Sequence, residues 1–184
     1  ALGSLETCAL EVLAGALPPR EVIGEYAAFF GGFADACHHG KEEDILFQRL
    51  VERGLPREAG PLAVMYHEHE LGRGHVKVLA SIAAGTGQPD GRETGLLLDH
   101  AGAYVPLLRQ HILKEDHILY PMALRLLTGP ELDAMSTEFE AFEARMHADG
   151  SYDRLRALGD QLVSRFRPDP ARMAAAAQMA HCGR

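Results

Sequence analysis

The chain has 184 residues, of which 18 are basic and 26 acidic, giving a net charge of −8, with 47% hydrophobic and 24% charged side chains. That length suits one domain with a real core, and the acidic balance argues against non-specific nucleic-acid binding and against a basic helix lying on a membrane. No apolar run approaches the roughly 20 residues that span a bilayer and no signal peptide is visible, while three widely spaced cysteines, Cys8, Cys37 and Cys182, suggest free thiols in a reducing, cytoplasmic compartment.

Strand signals are scarce, and helical periodicity runs throughout, broken by short Gly/Pro punctuation. The first helix is expected from Leu2 to Leu17, with Leu2, Leu5, Leu10, Leu13 and Leu17 roughly on one face, and it stops at Pro18-Pro19. A second, from Pro19 to about Arg53, buries Tyr26, Phe30, Phe33 and Cys37 and ends at Gly54-Leu55-Pro56. A third spans Pro61 to Ala84 and is stopped by the glycine-rich loop 85–91. The fourth runs from about Arg92 to Leu127, with Pro106 as a candidate kink. Shorter helices follow from Pro130 to Met146 and from Tyr152 to Phe166, and residues 169–184 are expected to form a flexible tail. Together these predict an all-α fold. An up-down-up-down four-helix bundle over residues 1–127 carries additional C-terminal helices, residues 128–168, packed on it. In that topology the second and fourth helices run parallel.

Those two helices share a sentence. Residues 38–47 read HHGKEEDILF and residues 111–120 read HILKEDHILY. Residues i and i+4 of a helix differ by 40° of rotation and about 6 Å of rise, so His38 with Glu42, and His111 with Glu115, project from one face. The spacing alone is weak. Ten histidines among 26 acids would meet slightly more than one acid at i+4 by chance, and three occur: Glu42, Glu43 and Glu115. A solvated face explains any single pair, but it gives no reason to repeat the whole register. The Ile-Leu-aromatic ending orients the polar start inward, and two buried carboxylates then require something positive between them, a metal or basic side chains. The third helix adds YHEHELGRGH. Residues two apart point about 200° apart, so one of His67 and His69 faces in, and Met65, His69 and Gly72 or Arg73 form the inner stripe. His67 and His75 are expected at the surface, and His100, His117, His147 and His181 as solvated or capping residues. Imidazole with bridging carboxylates suits iron, and less specifically zinc or manganese. The Glu-x-x-His order of ferritin-type di-iron bundles is absent.

HHGKEEDILF, HEHELGR and HILKEDHILYP resemble three of the four metal-binding helices of the hemerythrin-like, or HHE cation-binding, family. The likeness covers roughly residues 1 to 127. It implies a four-helix bundle holding two non-haem Fe ions, carboxylate-bridged and compatible with an oxo bridge. The implied metal ligands are His38, Glu42, His69, His111 and Glu115, with His39 paired to Glu43, and Asp116, as neighbouring alternatives. The family's first helix also contributes a histidine, and the stretch before Pro18 has none. Because LGSLE at residues 2–6 looks like the end of that helix pattern, the missing ligand is expected upstream of Ala1. The competing reading is a five-ligand site, with Glu6, Cys8 or Glu11 recruited or water in the position. Phe30, Phe33, Leu46, Ile112 and Leu119 would form a dry shell. Tyr104 reads as a core tyrosine or as a hydrogen-bond donor to the site, Cys37 as a small buried hydrophobe, and Lys41 and Lys114 as outward charges.

Three functions follow. The first is a di-iron protein that binds a small diatomic or peroxide ligand (O2, NO or H2O2) for sensing, storage or detoxification. A sensor of this charge would signal through an unidentified protein partner rather than nucleic acid. The second is a di-iron enzyme or repair factor that reduces NO or peroxide or restores iron–sulfur clusters. Repair proteins of this superfamily typically carry a separate cysteine-bearing N-terminal domain, which the sequence as given does not contain, and this lowers that reading. The third is a metal-free helical interaction module. No nucleophile or acid–base pair stands out beyond the cluster, so any catalysis would be the metal's own, and the reading leans away from an enzyme.

Overall fold

The computed structural model of the chain describes residues 1–148 and 150–171, so Cys182, His181 and most of the expected tail lie outside the described residues. Helix α1 is Leu2–Leu13. Helix α2 covers residues 20–52 and is assembled from Arg20–Phe29, Phe30–His39, Glu42–Leu46 and Phe47–Glu52. Helix α3 is Gly60–Ala83. Helix α4 covers residues 91–126, joining Gly91–Lys114, Glu115–Leu119 and Tyr120–Leu126. Helices α5, Gly129–Ala148, and α6, Ser151–Arg165, complete it. There is no strand among the described residues.

Three apolar layers fix the topology. At one end Val12, Ile23, Leu79, Ile82 and Leu97 pack together. In the middle Leu5, Tyr26, Phe30, Tyr104 and Leu108 meet. At the other end Leu46, Phe47, Leu50 meet Leu62, Met65, Leu119 and Ala123. Along these layers the residue numbers rise in α2 and α4 and fall in α1 and α3, which makes α2 and α4 parallel and antiparallel to the other two. The expected up-down-up-down bundle is present.

Helix α1 is shorter than its leucine stripe suggested. It stops at Leu13, the chain turns at Gly15 with φ +96°, and Leu13 and Leu17 are exposed rather than core. A positive φ suits glycine. The inward face is instead Ser4, Leu5, Thr7, Cys8 and Val12. At the start of α4, Asp90 and Glu93 form a capping box, and Glu93 also takes the Arg20 guanidinium at 2.5 Å, tying α2 to the loop before α4. Pro106 sits inside α4, which runs on through it to Lys114. Pro121 cannot donate to the carbonyl of residue 117, and the π-helical stretch Glu115–Leu119 occupies the turn before it.

Three stretches, Phe30–His39, Glu42–Leu46 and Glu115–Leu119, are π-helical. Such stretches are rare and gather at functional sites. The first runs from the middle layer to His38 and His39, and the other two hold Glu42 and Glu115 of the repeated sentences.

The C-terminal helices pack where α2 is bare. A Cβ on Gly32 would lie 2.7 Å from Leu155 of α6, and one on Gly40 would lie 3.2 Å from Phe142 of α5. Leu162 and Phe166 enter the middle layer. The tightest approach is Gly159 of α6, where a Cβ would stand 2.5 Å from the buried ring of Phe29. Gly159→Ala is therefore expected to destabilise the fold by about 1–3 kcal/mol, the usual cost of overpacking. Urea unfolding measures it, and an unchanged midpoint would mean that α6 adjusts freely.

Candidate metal centre

Between the middle layer and the far layer the interior turns polar. His69 and His111 are each 1% exposed, Glu115 2%, Glu42 3% and His39 4%. The His38 side chain keeps 44% of its surface accessible, yet its Nε2 reaches 3.8 Å from Glu42 Oε2 and 3.9 Å from Glu115 Oε1. His111 Nε2 lies 3.0 Å from Glu115 Oε1, and His69 Nε2 lies 3.6 Å from Glu42 Oε2. One donor atom each from Glu42, His69, His111 and Glu115 falls within 4.8 Å of the others, and so does a second group, His39, His69 and His111. The structure thus brings together His38, Glu42, His69, His111 and Glu115, from three helices.

Hydrogen bonds outside the cluster fix the imidazoles. His69 Nδ1 lies 2.6 Å from Glu43 Oε1, and His111 Nδ1 lies 3.0 Å from Glu68 Oε2. Each Nδ1 therefore carries the proton and donates it to a carboxylate, and each Nε2 presents a lone pair inward. Those two Nε2 atoms stand 3.1 Å apart. Two lone pairs at that separation repel unless a proton or a metal cation lies between them. The carboxylates tell the same story. Glu42 Oε2 and Glu115 Oε1 are buried without a hydrogen-bond partner, and such atoms are costly. Tyr120 donates to the other Glu42 oxygen at 2.7 Å.

Burial, and then the neighbouring Glu115, push the Glu42 carboxyl up to about 7. Burial acts on Glu115 in the same direction, but the imidazoles of His111 and His38 beside it outweigh burial and hold this group below the usual carboxylate range. Burial, with the imidazoles of His39 and His111 beside it, pushes His69 down to about 2. Burial thus keeps His69 neutral, whereas at His111 the carboxylates of Glu115, Glu68 and Glu42 outweigh burial and raise its affinity for a proton. Nitrogen lone pairs and orphaned carboxylate oxygens converging on one point are a donor set that fits a metal ion held at about 2.0–2.2 Å.

The neighbouring candidates separate clearly. Asp116 is exposed and outside the group. Glu43 turns to the outer nitrogen of His69 and to Arg73, at 2.7 Å. His39 reaches the cluster as well as His38: its ring stacks on His69 with centroids 3.9 Å apart, and its Nδ1 lies 3.4 Å from Asp35. Glu6 pairs with Arg109 at 2.7 Å, and Cys8 packs in the middle layer, so neither is recruited; Glu11 lines a separate cavity beside Cys8 and Arg165. Of the expected dry shell, Ile112 is 41% exposed and lies at the edge of a cavity rather than in the core. Tyr104 packs edge-on against Phe30 at 4.9 Å in the core, and Cys37 is buried.

Several outer residues carry more than their sequence positions indicated. Lys114 is not simply an outward charge, because it pairs with the Glu68 that orients His111. Lys41 pairs with Glu143 of α5. Arg73 joins Asp35 and Glu43, the acids behind His39 and His69. Phe47, the aromatic of the first sentence, stacks against His69 at 5.7 Å, whereas Tyr120, its counterpart in the second, holds Glu42. His67 is exposed. His75 and His100 are half-buried and face each other, Nδ1 to Nδ1 at 3.0 Å, so neither is simply solvated.

A family model described as the hemerythrin HHE cation binding domain matches residues 5–123. Among curated proteins, the chain is 32% identical over 109 residues to the iron-sulfur cluster repair protein YtfE of Pectobacterium carotovorum, covering 58% of this chain and 48% of that protein. It is 35% identical over 91 residues to YtfE of Musicola paradisiaca, 48% of this chain and 40% of that one. An uncharacterized protein of Mycobacterium tuberculosis is 24% identical over 161 residues, 82% of this chain and 61% of that protein. The chain spans about half the length of the repair proteins it matches, and no solved structure matches it.

Removing an outer carboxylate should loosen metal binding without touching a donor atom. Glu68→Gln and Glu43→Gln are each expected to weaken metal affinity by roughly 10- to 100-fold, measured by competition with a coloured chelator. His67→Gln, on the exposed face, should leave it unchanged. Equal affinities in all four proteins would mean that these acids do not orient the imidazoles.

Proposed function

The chain belongs to the hemerythrin HHE cation-binding domain family, and from that premise we propose that it is a non-haem di-iron protein binding a small diatomic or peroxide ligand. His38, Glu42, His69, His111 and Glu115 would hold the irons. The observation that carries the reading is the meeting of two orphaned carboxylate oxygens with two imidazole lone pairs in a buried space. Two cations spread over carboxylates and imidazoles of this count relieve more of that charge than one, and His38 and His39 supply nitrogens toward different parts of the cluster. When bound, the irons would supply an open coordination position and electrons for a small ligand.

The protein's own contribution is positioning. Tyr120 keeps Glu42 in one orientation, Glu43 and Glu68 keep the imidazole lone pairs inward, and Phe47 closes the far side of His69. A cavity of about 520 Å³, lined by Phe30, Phe33, Tyr104, His38, His39 and His111, gives a ligand room beside the donors. Ala1–Gly3 lie at its edge, and a further ligand from a preceding segment would approach there. A metal-free module leaves those orphaned atoms without purpose. Among the described residues no helix is long and apolar enough to cross a membrane, and the buried free thiols Cys8 and Cys37 suit a cytoplasmic setting.

A second reading, repair of iron–sulfur clusters, is favoured by the 32% identity to relatives bearing that name. Since the chain spans only part of those relatives, the lack of their extra domain in this sequence does not weigh against it.

Stopped-flow spectra of the reduced, iron-loaded protein separate the readings. A binder is expected to change colour on adding nitric oxide or oxygen and to recover fully when the gas is removed. Sustained consumption of the gas with a reductant would replace the binder by an enzyme. Reactivation of a damaged cluster enzyme, with no reversible adduct, would favour repair. His111→Ala should abolish every one of these signals, since it removes a donor shared by both candidate groups.

A further inference from the structure

Helix α5 lies beyond the stretch that the family model matches, and it does something specific to the site. It has no fully buried residue, so apolar burial alone does not hold it down. Three acids along it, Glu131, Glu138 and Glu143, pair in turn with Arg53, just past the end of α2, and with Arg49 and Lys41 of α2. Beneath this row of ion pairs, Leu132, Met135 and Phe139 face Leu46 and Ala123 of the bundle across a cavity of about 300 Å³. The floor of that cavity is His38 and Glu42. It is distinct from the larger cavity near Ala1, and His38 lines both.

We propose that this chamber is a holding site for an uncharged, apolar small molecule, a diatomic gas, waiting on the His38–Glu42 side of the cluster. The proposal deepens the reading of the site as a small-ligand centre and rests on it for its biological meaning. Size and polarity select the occupant. Most of its lining is apolar, from Leu46, Ala123, Leu124, Leu132, Met135 and Phe139, and apolar pockets take up apolar gas atoms. An anion such as superoxide or nitrite finds no free cation there, because the lysine at the rim is already neutralised: Lys41 pairs with Glu143 and lies over the Phe139 ring at 5.7 Å. A neutral gas needs no such partner.

The test is xenon, a neutral probe of gas sites, applied under pressure to crystals of the full chain as purified. Xenon is expected in the chamber, touching Leu132, Met135 and Phe139, and it should disappear in Leu132→Trp, whose indole fills the space. If that variant does not fold, Met135→Phe fills the same chamber from the next turn of α5. In the iron-loaded protein the filled variant should bind nitric oxide several-fold more slowly at unchanged iron content. No xenon there, xenon only in the other cavity between Phe30 and Tyr104, or an unchanged binding rate would each overturn the proposal. Failure of the wild-type protein to hold iron would instead strike the di-iron reading, and the xenon result would stand apart from it.

Discussion

Two carboxylates, Glu42 and Glu115, stand inside a helical bundle with one oxygen each left without a hydrogen-bond partner. Around them two imidazoles turn their lone pairs toward one another at 3.1 Å. A protein interior does not tolerate such an arrangement for its own sake, because buried charge and unpaired polar atoms each cost several kcal/mol. The rest of the molecule is organised to impose it. Apolar layers above and below lock the helices in register, and the outer acids Glu43 and Glu68 hold the two imidazoles with Nε2 turned inward. The cluster is therefore arranged to accept a cation.

The backbone contributes as well. Each of the three π-helical stretches carries members of the cluster or their immediate neighbours. Successive residues of an α-helix point about 100° apart, so only one of His38 and His39 would be expected at a single site. Both arrive, one at the solvent-facing edge and one fully buried. The glycines of α2 then let α5 and α6 lie close over this widened helix. Stability and site geometry are in this way carried by the same turns, and a change in how α5 rests on α2 is felt at His38 and Lys41.

Much of this was legible in the sequence, for physical reasons that differ from part to part. Helix extents were readable because proline and glycine punctuate them, and the repeated register identified the two inward faces because Ile-Leu-aromatic is a core pattern that orients what precedes it. Helix α1 misled, since Leu13 and Leu17 continue an apolar stripe past the point where the chain turns away. The orienting residues were not readable. Glu68 and Lys114 sit on helix arcs that look solvated, and only the approach of a neighbouring helix reveals what they face. His75 and His100 show the same limit, because a contact between α3 and α4 has no local signature. Nor does histidine-to-acid spacing distinguish α from π turns. The division of labour between Phe47 and Tyr120 was visible as a difference in the repeat, but its meaning needed the third dimension.

The central claim is that this buried donor set exists to hold metal, and elemental analysis of the purified chain tests it most directly. The account predicts about two irons per chain, with near-ultraviolet charge-transfer absorption that fades on anaerobic reduction. A chain that folds fully, keeps its thermal stability in chelator and contains no metal would contradict it, and would leave the facing imidazoles and carboxylates as a packing motif.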